Sequence, residues 1–595
     1  MSEHTPAWRR RSGIVAVSVL GGILLVLITA AVWIGVRGLT AYGHLSDAQA
    51  TASGATEMLA DPSRAAGLLA DVAADTQAAR KLVSDPIWHL GEGMPWIGPQ
   101  LAAVADAAAI VDDVVTGALP PLAEVAREFS LDAIRPQDGR FDLAAFQMLQ
   151  QPTQAGVTGL TDAASALAAI DLAPLLGPVR EGIAEVLEVV TSAQTGADAL
   201  ARTTALLPAM LGAEGPRDYL VVFQNNAEWR SLGGIVGAMA LIHTDDGAIT
   251  MTAQGSSSDF TRYDEPVLPM TDAQVRLFGE QPGLYVQNVT QIPDFTIGAP
   301  FAREMWARET GHFPHGVVSI DPVALSYLLE ATGPILLPTG DELRSDNAVR
   351  LLLNEVYFRY EDPREQDAFF AAAAAEVFRA LSSGEADPVT MIDALARAGA
   401  ENRLLLWSSI ADEQAVLDGT TLQGRLPSSD AETTTFGVYA NDGTGSKMDY
   451  YMTLDTALGW CLSPDTGVAE AVLSVTLRNT APADAASALP RYITGGGAFG
   501  VPEGLVDTVM YVYLPMGATL AGADAHGSGY SAGFGGGQDQ DRHVVAWSTR
   551  LAPGEDRTLT VRAATPHTPA LTAQVVPTIH PPVTQIVANP CEIAE

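Results

Sequence analysis

From Gly13 to Val36 the chain runs for 24 residues without a charge. As a helix rising about 1.5 Å per residue, such a run exceeds the roughly 30 Å hydrocarbon core of a bilayer. Nothing else restricts the fold as strongly, because a segment this apolar must be buried in lipid or inside protein. Arg9, Arg10 and Arg11 precede it and Arg37 follows. The positive-inside rule then places residues 1–12 in the cytoplasm and the remainder outside. A secretory signal has a shorter apolar run and a small-residue cleavage site after it, so the expectation is an uncleaved, single-pass plasma-membrane anchor at 13–36. A second span is not expected. Ala563–Cys591 is also uncharged but holds six prolines, which suits an extended tail and not a membrane helix.

Charge narrows what the exported part can bind. With 33 Lys+Arg against 70 Asp+Glu, the net charge is −37. Nucleic acid is excluded as a partner, since its binders carry a basic face. Hydrophobic residues at 47% and charged residues at 17% also exclude a disordered acidic chain. Lysine occurs only at positions 81 and 447, so any lysine in a functional stretch stands out. The two cysteines, Cys461 and Cys591, lie on the oxidising side of the expected anchor, and a disulfide between them is expected.

Pattern changes divide the chain. Residues 37–213 are Ala- and Leu-rich with apolar residues at three- and four-residue steps, which predicts a helical stalk or bundle. It is interrupted at Asp85–Pro99 by DPIWHLGEGMPWIGP. Residues 214–432 alternate short apolar strands with helices, which predicts an α/β core with a mixed sheet. Tyr219–Phe223, Gly234–His243, Ala248–Ala253 and Gly316–Ile320 are its strand candidates. From 433 to 595 helical pattern ends and short strands separated by Gly, Pro, Asn and Asp predict a β-sandwich with a Pro-rich tail. The fold class expected is therefore multidomain α+β. Gly527–Gly537 (GSGYSAGFGGG) reads as a flexible loop, and the G-x-S-x-G match within it lacks the strand-to-helix setting of a nucleophile. His312 and His315 read as a surface pair.

Three stretches carry candidate chemistry. Phe223–Gly237 (FQNNAEWRSLGGIVG) reads as a polar loop after a strand, with Gln224, Asn225, Asn226 and Arg230 as anion-binding candidates. A guanidinium suits phosphate because its fork donates twice. Tyr357–Phe369 (YFRYEDPREQDAF) adds Arg359 and Arg364 among four acids, an arrangement that also suits a solvated salt-bridge face. Tyr439–Tyr451 (YANDGTGSKMDYY) contributes Lys447.

RDYLVVFQNNAEWRSLGGIVGAM, QNVTQIPDF, GVVSIDPVALSYLLEATGPILLP and NDGTGSKMDYY together resemble a bacterial family catalogued as domain of unknown function 4012. More weakly, the order of these segments is similar to the LytR-CpsA-Psr family. That family's members attach glycopolymers from polyprenyl-pyrophosphate carriers to the cell wall. The resemblance implies that Arg230, Arg359 and Arg364 bind a pyrophosphate and that magnesium assists. Asn225 and Asn226 stand where that family has an acidic residue, leaving Asp259 and Asp294 as the metal-ligand candidates. Two functions follow as expectations. One is a non-catalytic envelope protein that binds a glycopolymer, a lipid carrier or a partner protein through its α/β core. The other is a transferase acting on polyprenyl-pyrophosphate-linked glycopolymers.

Overall fold

A computed structural model describes residues 29, 30, 32–38, 40, 41, 43, 44, 62–128, 135–137, 139–462, 467 and 469–588. Most of the uncharged run at 13–36 lies outside the described residues, as does Cys591. Among the described residues, no helix is long and apolar enough to cross a membrane. The molecule is multidomain α+β with mixed sheets, and it divides into two compact units. One comprises residues 1–133 with 144–207, the other 134–143 with 208–595.

The first unit is helical: α1 (Pro62–Val83), α2 (Pro86–Glu92), α3 (Gly98–Asp113), α4 (Leu119–Glu128), α5 (Leu143–Ala168) and α6 (Gly177–Met210). Small and branched residues recur on one stripe of each long helix, Ala103 and Ala107 on α3, Leu160 and Ala163 on α5, Ile183 and Val190 on α6. These stripes meet in one core, as amphipathic helices require. The Asp-Pro of the interrupting motif starts α2. Asp85 accepts the N–H groups of Ile87 (2.7 Å) and Trp88 (3.1 Å), and Pro86 occupies the first turn, where its missing N–H costs nothing.

The second unit begins with β1 (Arg217–Arg230), β2 (Gly233–Asp245), β3 (Ala248–Ser256) and β4 (Gly316–Ile320). The small hairpin β5 (Ile335–Leu336) and β6 (Glu342–Leu343) follows, then β7 (Leu404–Ser408). The order β3-β2-β1-β4-β7 forms a mixed sheet in which only β1 and β4 are parallel. Between its strands lie α7 (Phe295–Thr310), α8 (Pro322–Thr332), α9 (Pro363–Ser382) and α10 (Pro388–Ala400). Leu220 and Val222 of β1 point to the α7 side and are fully buried among Phe295, Met305 and Trp306. Period-two alternation turns Val221 and Phe223 to the opposite face, under α9.

Two five-stranded sheets complete this unit. Their strands are β8 (Thr433–Asp442), β9 (Met452–Leu462), β10 (Ala469–Asn479), β11 (Val506–Tyr513), β12 (Thr519–Gly527), β13 (Tyr530–Asp539), β14 (Arg542–Leu551), β15 (Asp556–Ala564), β16 (Ala570–Val575) and β17 (Thr584–Ile586). They pair in the orders β12-β15-β10-β9-β17 and β13-β14-β11-β8-β16. The boundary expected at 432/433 does not separate two cores. One hydrophobic cluster runs from Trp229, Leu352 and Tyr357 to Phe436, Met510 and Trp547. Buried polar bonds reinforce the junction: Trp229 N–H donates to Asp449 (2.7 Å), Ser231 N–H to Asn441 (2.9 Å) and Arg403 to the Thr578 carbonyl (2.7 Å).

Two local expectations are corrected. The stretch 224–230 is not a loop but the continuation of β1, with register shifts that admit its polar residues. The glycine-rich 527–537 segment is mostly strand, because β13 pairs along β14 at the sheet edge, with a register shift between Ser531 and Phe534. Within it, the Ser531 hydroxyl accepts the Trp547 indole N–H at 2.7 Å. His312 and His315 are tied to Asp218, His312 Nε2 to its carboxylate at 3.1 Å and His315 Nδ1 accepting its N–H at 3.0 Å.

Candidate functional site

The α9 face of the mixed sheet is not filled. Beneath α9 lies a cavity of about 520 Å³. Its floor is Val221 and Phe223 of β1, Ile235 and Gly237 of β2, and Val318 and Ile320 of β4. Its roof is the inward face of α9, with Phe370, Ala374, Val377, Phe378 and Leu381 repeating at helical spacing, and Leu325 and Leu328 of α8 close one side. A Cβ built on Gly237 meets nothing within 4 Å, so the glycine itself widens the cavity. The lining is mainly apolar, with polar side chains such as Ser258, Asp321 and Asp367 among it, which is the character of a small-molecule site.

A charged cluster forms part of the wall. Glu228 is buried in β1, and its carboxylate accepts Lys447 Nζ at 2.6 Å and Arg230 at 3.0 Å. Arg230 also donates to Asn288 (3.0 Å). Burial works against the charge of Glu228, but Lys447 and Arg230 outweigh it and hold the carboxyl below its usual range. Burial likewise works against the Lys447 ammonium, and Glu228 more than offsets it, so the amine stays protonated. Among the described residues, Glu228 is the one hydrogen-bond partner found for Lys447 Nζ. An ammonium has three donors. Two thus remain for a ligand in the cavity.

Two further carboxyls adjoin the cluster. Asp442 accepts the N–H groups of Thr444 (2.9 Å) and Gly445 (2.6 Å) and so folds the turn that carries Lys447. Gly445 takes φ +67°, and a side chain there would collide with Phe499. Burial, then the charge of Glu228, pushes Asp442 up to about 6. Burial, then Asp442, pushes Asp449 well above the carboxylate range. Asp449 Oδ1 has no hydrogen-bond partner among the described residues. Three carboxyls face two cations here, and raised proton affinity on two of them resolves the excess.

A second, smaller cavity of about 270 Å³ shares Glu228, Lys447 and Tyr492 with the first. It is lined by Gly445, Ser446, Arg491 and Gly495. The Arg491 side chain is 82% exposed, and Glu503 stands 3.8 Å away. Tyr492 stacks on Tyr357 with ring centroids 5.1 Å apart, and the Tyr357 hydroxyl accepts Asn225 Nδ2 at 2.6 Å. Glu228, Lys447 and Tyr492 are thus wall residues of both a mainly apolar cavity and a small polar one with an exposed arginine.

The expected site residues fall into three groups. Lys447, Gln224 and Asn225 line the large cavity. Gln224 is braced by Ser319 (2.7 Å) and by the Gly234 N–H (2.6 Å). Arg230 and Asn226 stand behind it: Arg230 on Glu228, Asn226 on Asp321 (3.0 Å) and the Pro577 carbonyl (3.3 Å). Arg359 and Arg364 are elsewhere. Arg359 forms an exposed ion pair with Asp341 at 2.6 Å. Arg364 is exposed, its backbone N–H capped by Asp362. The three arginines thus have separate surroundings, and none lines the cavity.

Asp259 and Asp294 do not meet as metal ligands. Asp259 accepts the Ser256 N–H (2.8 Å) and closes a surface turn. Asp294 caps α7 through the Thr296 N–H (2.9 Å) and also accepts Gln540 (3.1 Å). Among the described residues, no group of three His, Cys, Asp or Glu is placed to hold a metal ion. Glu228, Arg491, Tyr357 and Tyr492 were missed as site residues. The one available signal was Glu228 in a stretch already singled out, within a strand that continues through polar residues.

A family model described as a protein of unknown function (DUF4012) matches residues 214–357. That span holds β1 to β6 and ends at Tyr357, so it contributes the cavity floor and one of the stacked tyrosines. No curated protein and no solved structure matches the chain.

Proposed function

We propose that the second unit binds a lipid that has one long apolar tail and an anionic head, the lipid-carrier class. The observation that carries this reading is the mainly apolar cavity of about 520 Å³ with the Lys447 ammonium in its wall. Hydrocarbon gains about 25 cal/mol per Å² on leaving water, so a mainly apolar space favours a tail. A phosphate beside this wall would meet two free donors of Lys447 and, across the smaller chamber, the guanidinium of Arg491. A local cationic group matters in a chain of net charge −37, because long-range attraction of an anion is not available. The anchor expected at 13–36 would hold this unit beside a membrane that supplies such lipids. A glycopolymer carried on the lipid would extend outward from the head.

A binding role is favoured over group transfer. Transfer of a glycopolymer from a diphosphate calls for carboxylates that hold a metal at the phosphates. Here Glu228 accepts Lys447 and Arg230, Asp442 caps its own turn, and Asp321 accepts Arg403 at 2.7 Å. Asp259 and Asp294 are caps, and the residues present do not fit a magnesium site.

Titration with a polyprenyl phosphate, and with the uncharged alcohol of the same tail, tests the proposal. Gly237→Phe fills the cavity and abolishes binding of both. Arg491→Ala, at an exposed position, weakens the phosphate several-fold and leaves the alcohol unchanged. Equal binding of the phosphate by wild type and Gly237→Phe would remove the cavity from the account.

A further inference from the structure

The motif at 85–99 has no part in the lipid cavity, yet it exposes several large apolar side chains close together in the chain. Over eleven residues, Ile87, Leu90, Met94, Trp96 and Ile97 are 39%, 76%, 39%, 91% and 55% exposed. Between Pro86 and Pro99 the only carboxylate is Glu92. Contiguous exposed apolar patches of this kind mark an interaction site. Trp96 also adopts φ +68°, a region that large side chains rarely occupy. Strain of this sort persists only where the surrounding structure fixes it. The fixing bonds are present: Met94 N–H to Gly91 (3.0 Å), Gly98 N–H to Met94 (2.9 Å) and Ile97 N–H to Pro95 (2.9 Å). The loop is held in a shape that turns an indole outward.

The same loop is tied to the end of the uncharged run. Trp33 Nε1 donates to Asp85 at 3.3 Å, and Arg37 pairs with the same carboxylate. Arg37 also donates to the Leu82 carbonyl (3.3 Å). Gly38 lies against Trp88, and Gly91 against Ile34. These contacts set the apolar loop level with residues 33–38, where the run stops and the first flanking charge appears. Trp33 and Val36 are themselves 46% and 59% exposed there, which continues the patch.

We infer that residues 86–98 form a wedge that lies in the membrane interface beside the anchor, with Trp96 and Leu90 inserted among the lipid head groups and upper acyl chains. Tryptophan favours this depth because its ring is apolar and its N–H is wet. An amphipathic segment lying in the interface gains by burying its apolar side there. The occupant is the bilayer because the patch is continuous with a segment long enough to span it. The inference rests on the reading of 13–36 as a span and is independent of the lipid cavity.

Brominated-lipid quenching of tryptophan fluorescence tests it, using the full chain in liposomes. Lipids brominated near the head-group end of the acyl chain quench the wild type. Trp33→Phe and Trp96→Phe each remove a comparable share of that quenching. If Trp33→Phe removes quenching and Trp96→Phe does not, the wedge is overturned and the span survives. Should neither variant change it, the wedge is overturned, because the quenching then comes from other tryptophans such as Trp8. Shielding of Trp96 from aqueous acrylamide without bromine quenching would mean a second copy or another protein covers the loop, which also overturns the inference.

Discussion

The two faces of the five-stranded sheet are built from the same strands and the same alternation, yet they end differently. On the α7 face, Leu220 and Val222 are fully buried against Phe295, Met305 and Trp306. On the α9 face, Val221, Phe223 and Val318 look into open space. Protein interiors are normally packed as densely as organic crystals, so an unfilled face of this size is not an ordinary defect. Its open space is also walled in part by a charged cluster whose lysine has donors to spare. The comparison separates what holds the fold from what the fold holds.

Changes at the charged cluster of the open face should cost most. Lys447→Met leaves Glu228 without its nearer cation in a buried site, and a loss of about 3–5 kcal/mol is expected. Chemical denaturation reads it, and a second change, Glu228→Gln, should recover much of the loss. No recovery would mean that Lys447 matters through packing alone. Next comes the contrast between faces. Leu220→Ala on the packed face should cost about 2–5 kcal/mol, whereas Val318→Ala on the open face should cost about 1 kcal/mol or less, because no new void opens there. Equal losses would contradict the distinction.

Acidity at the cluster gives a third test. The folded chain raises Asp442 from its ordinary value of 3.8 to about 6, so folding favours the protonated form. Stability from this group is fully present below about 3.8 and is lost as pH rises through about 6. The difference amounts to roughly 3 kcal/mol. Asp442→Asn keeps an acceptor for the turn and removes the titration. Wild type should therefore lose stability relative to the variant between pH 4 and 7, measured as paired thermal midpoints. Parallel curves would place the proton elsewhere. The smallest effect is expected at Arg359→Ala, which does not line the cavity, where an exposed ion pair contributes at most about 1 kcal/mol and lipid binding should not change.

How far the sequence led follows the same divide. The apolar run Tyr219–Phe223 marked the early part of β1, and the succession of strands and helices over 214–432 marked the α/β core. Neither pattern tells a packed interior from a cavity, since an inward apolar stripe looks the same in both cases. The polar run Gln224–Arg230 hid the rest of β1, because strand patterns are read from apolar residues and these polar ones are buried with partners. Lys447 stood out because the chain has only one other lysine. Arg359 and Arg364 stood out for their density of charge, and that same density places Arg359 in a solvated pair. The partner that gives Lys447 its meaning, Glu228, lies 219 residues before it. Only the folded chain brings strand, turn and stacked tyrosines to one point. The expected Cys461–Cys591 bridge cannot be placed in this picture, since Cys591 lies outside the described residues.

Native mass spectrometry of the full chain, extracted in mild detergent, tests the central claim most directly. The account predicts one lipid of a single long-tailed, phosphate-bearing class retained per chain, and its loss in Gly237→Phe, where a benzyl group fills the space left by the glycine. Retention of the same lipid by Gly237→Phe at wild-type occupancy would contradict the account.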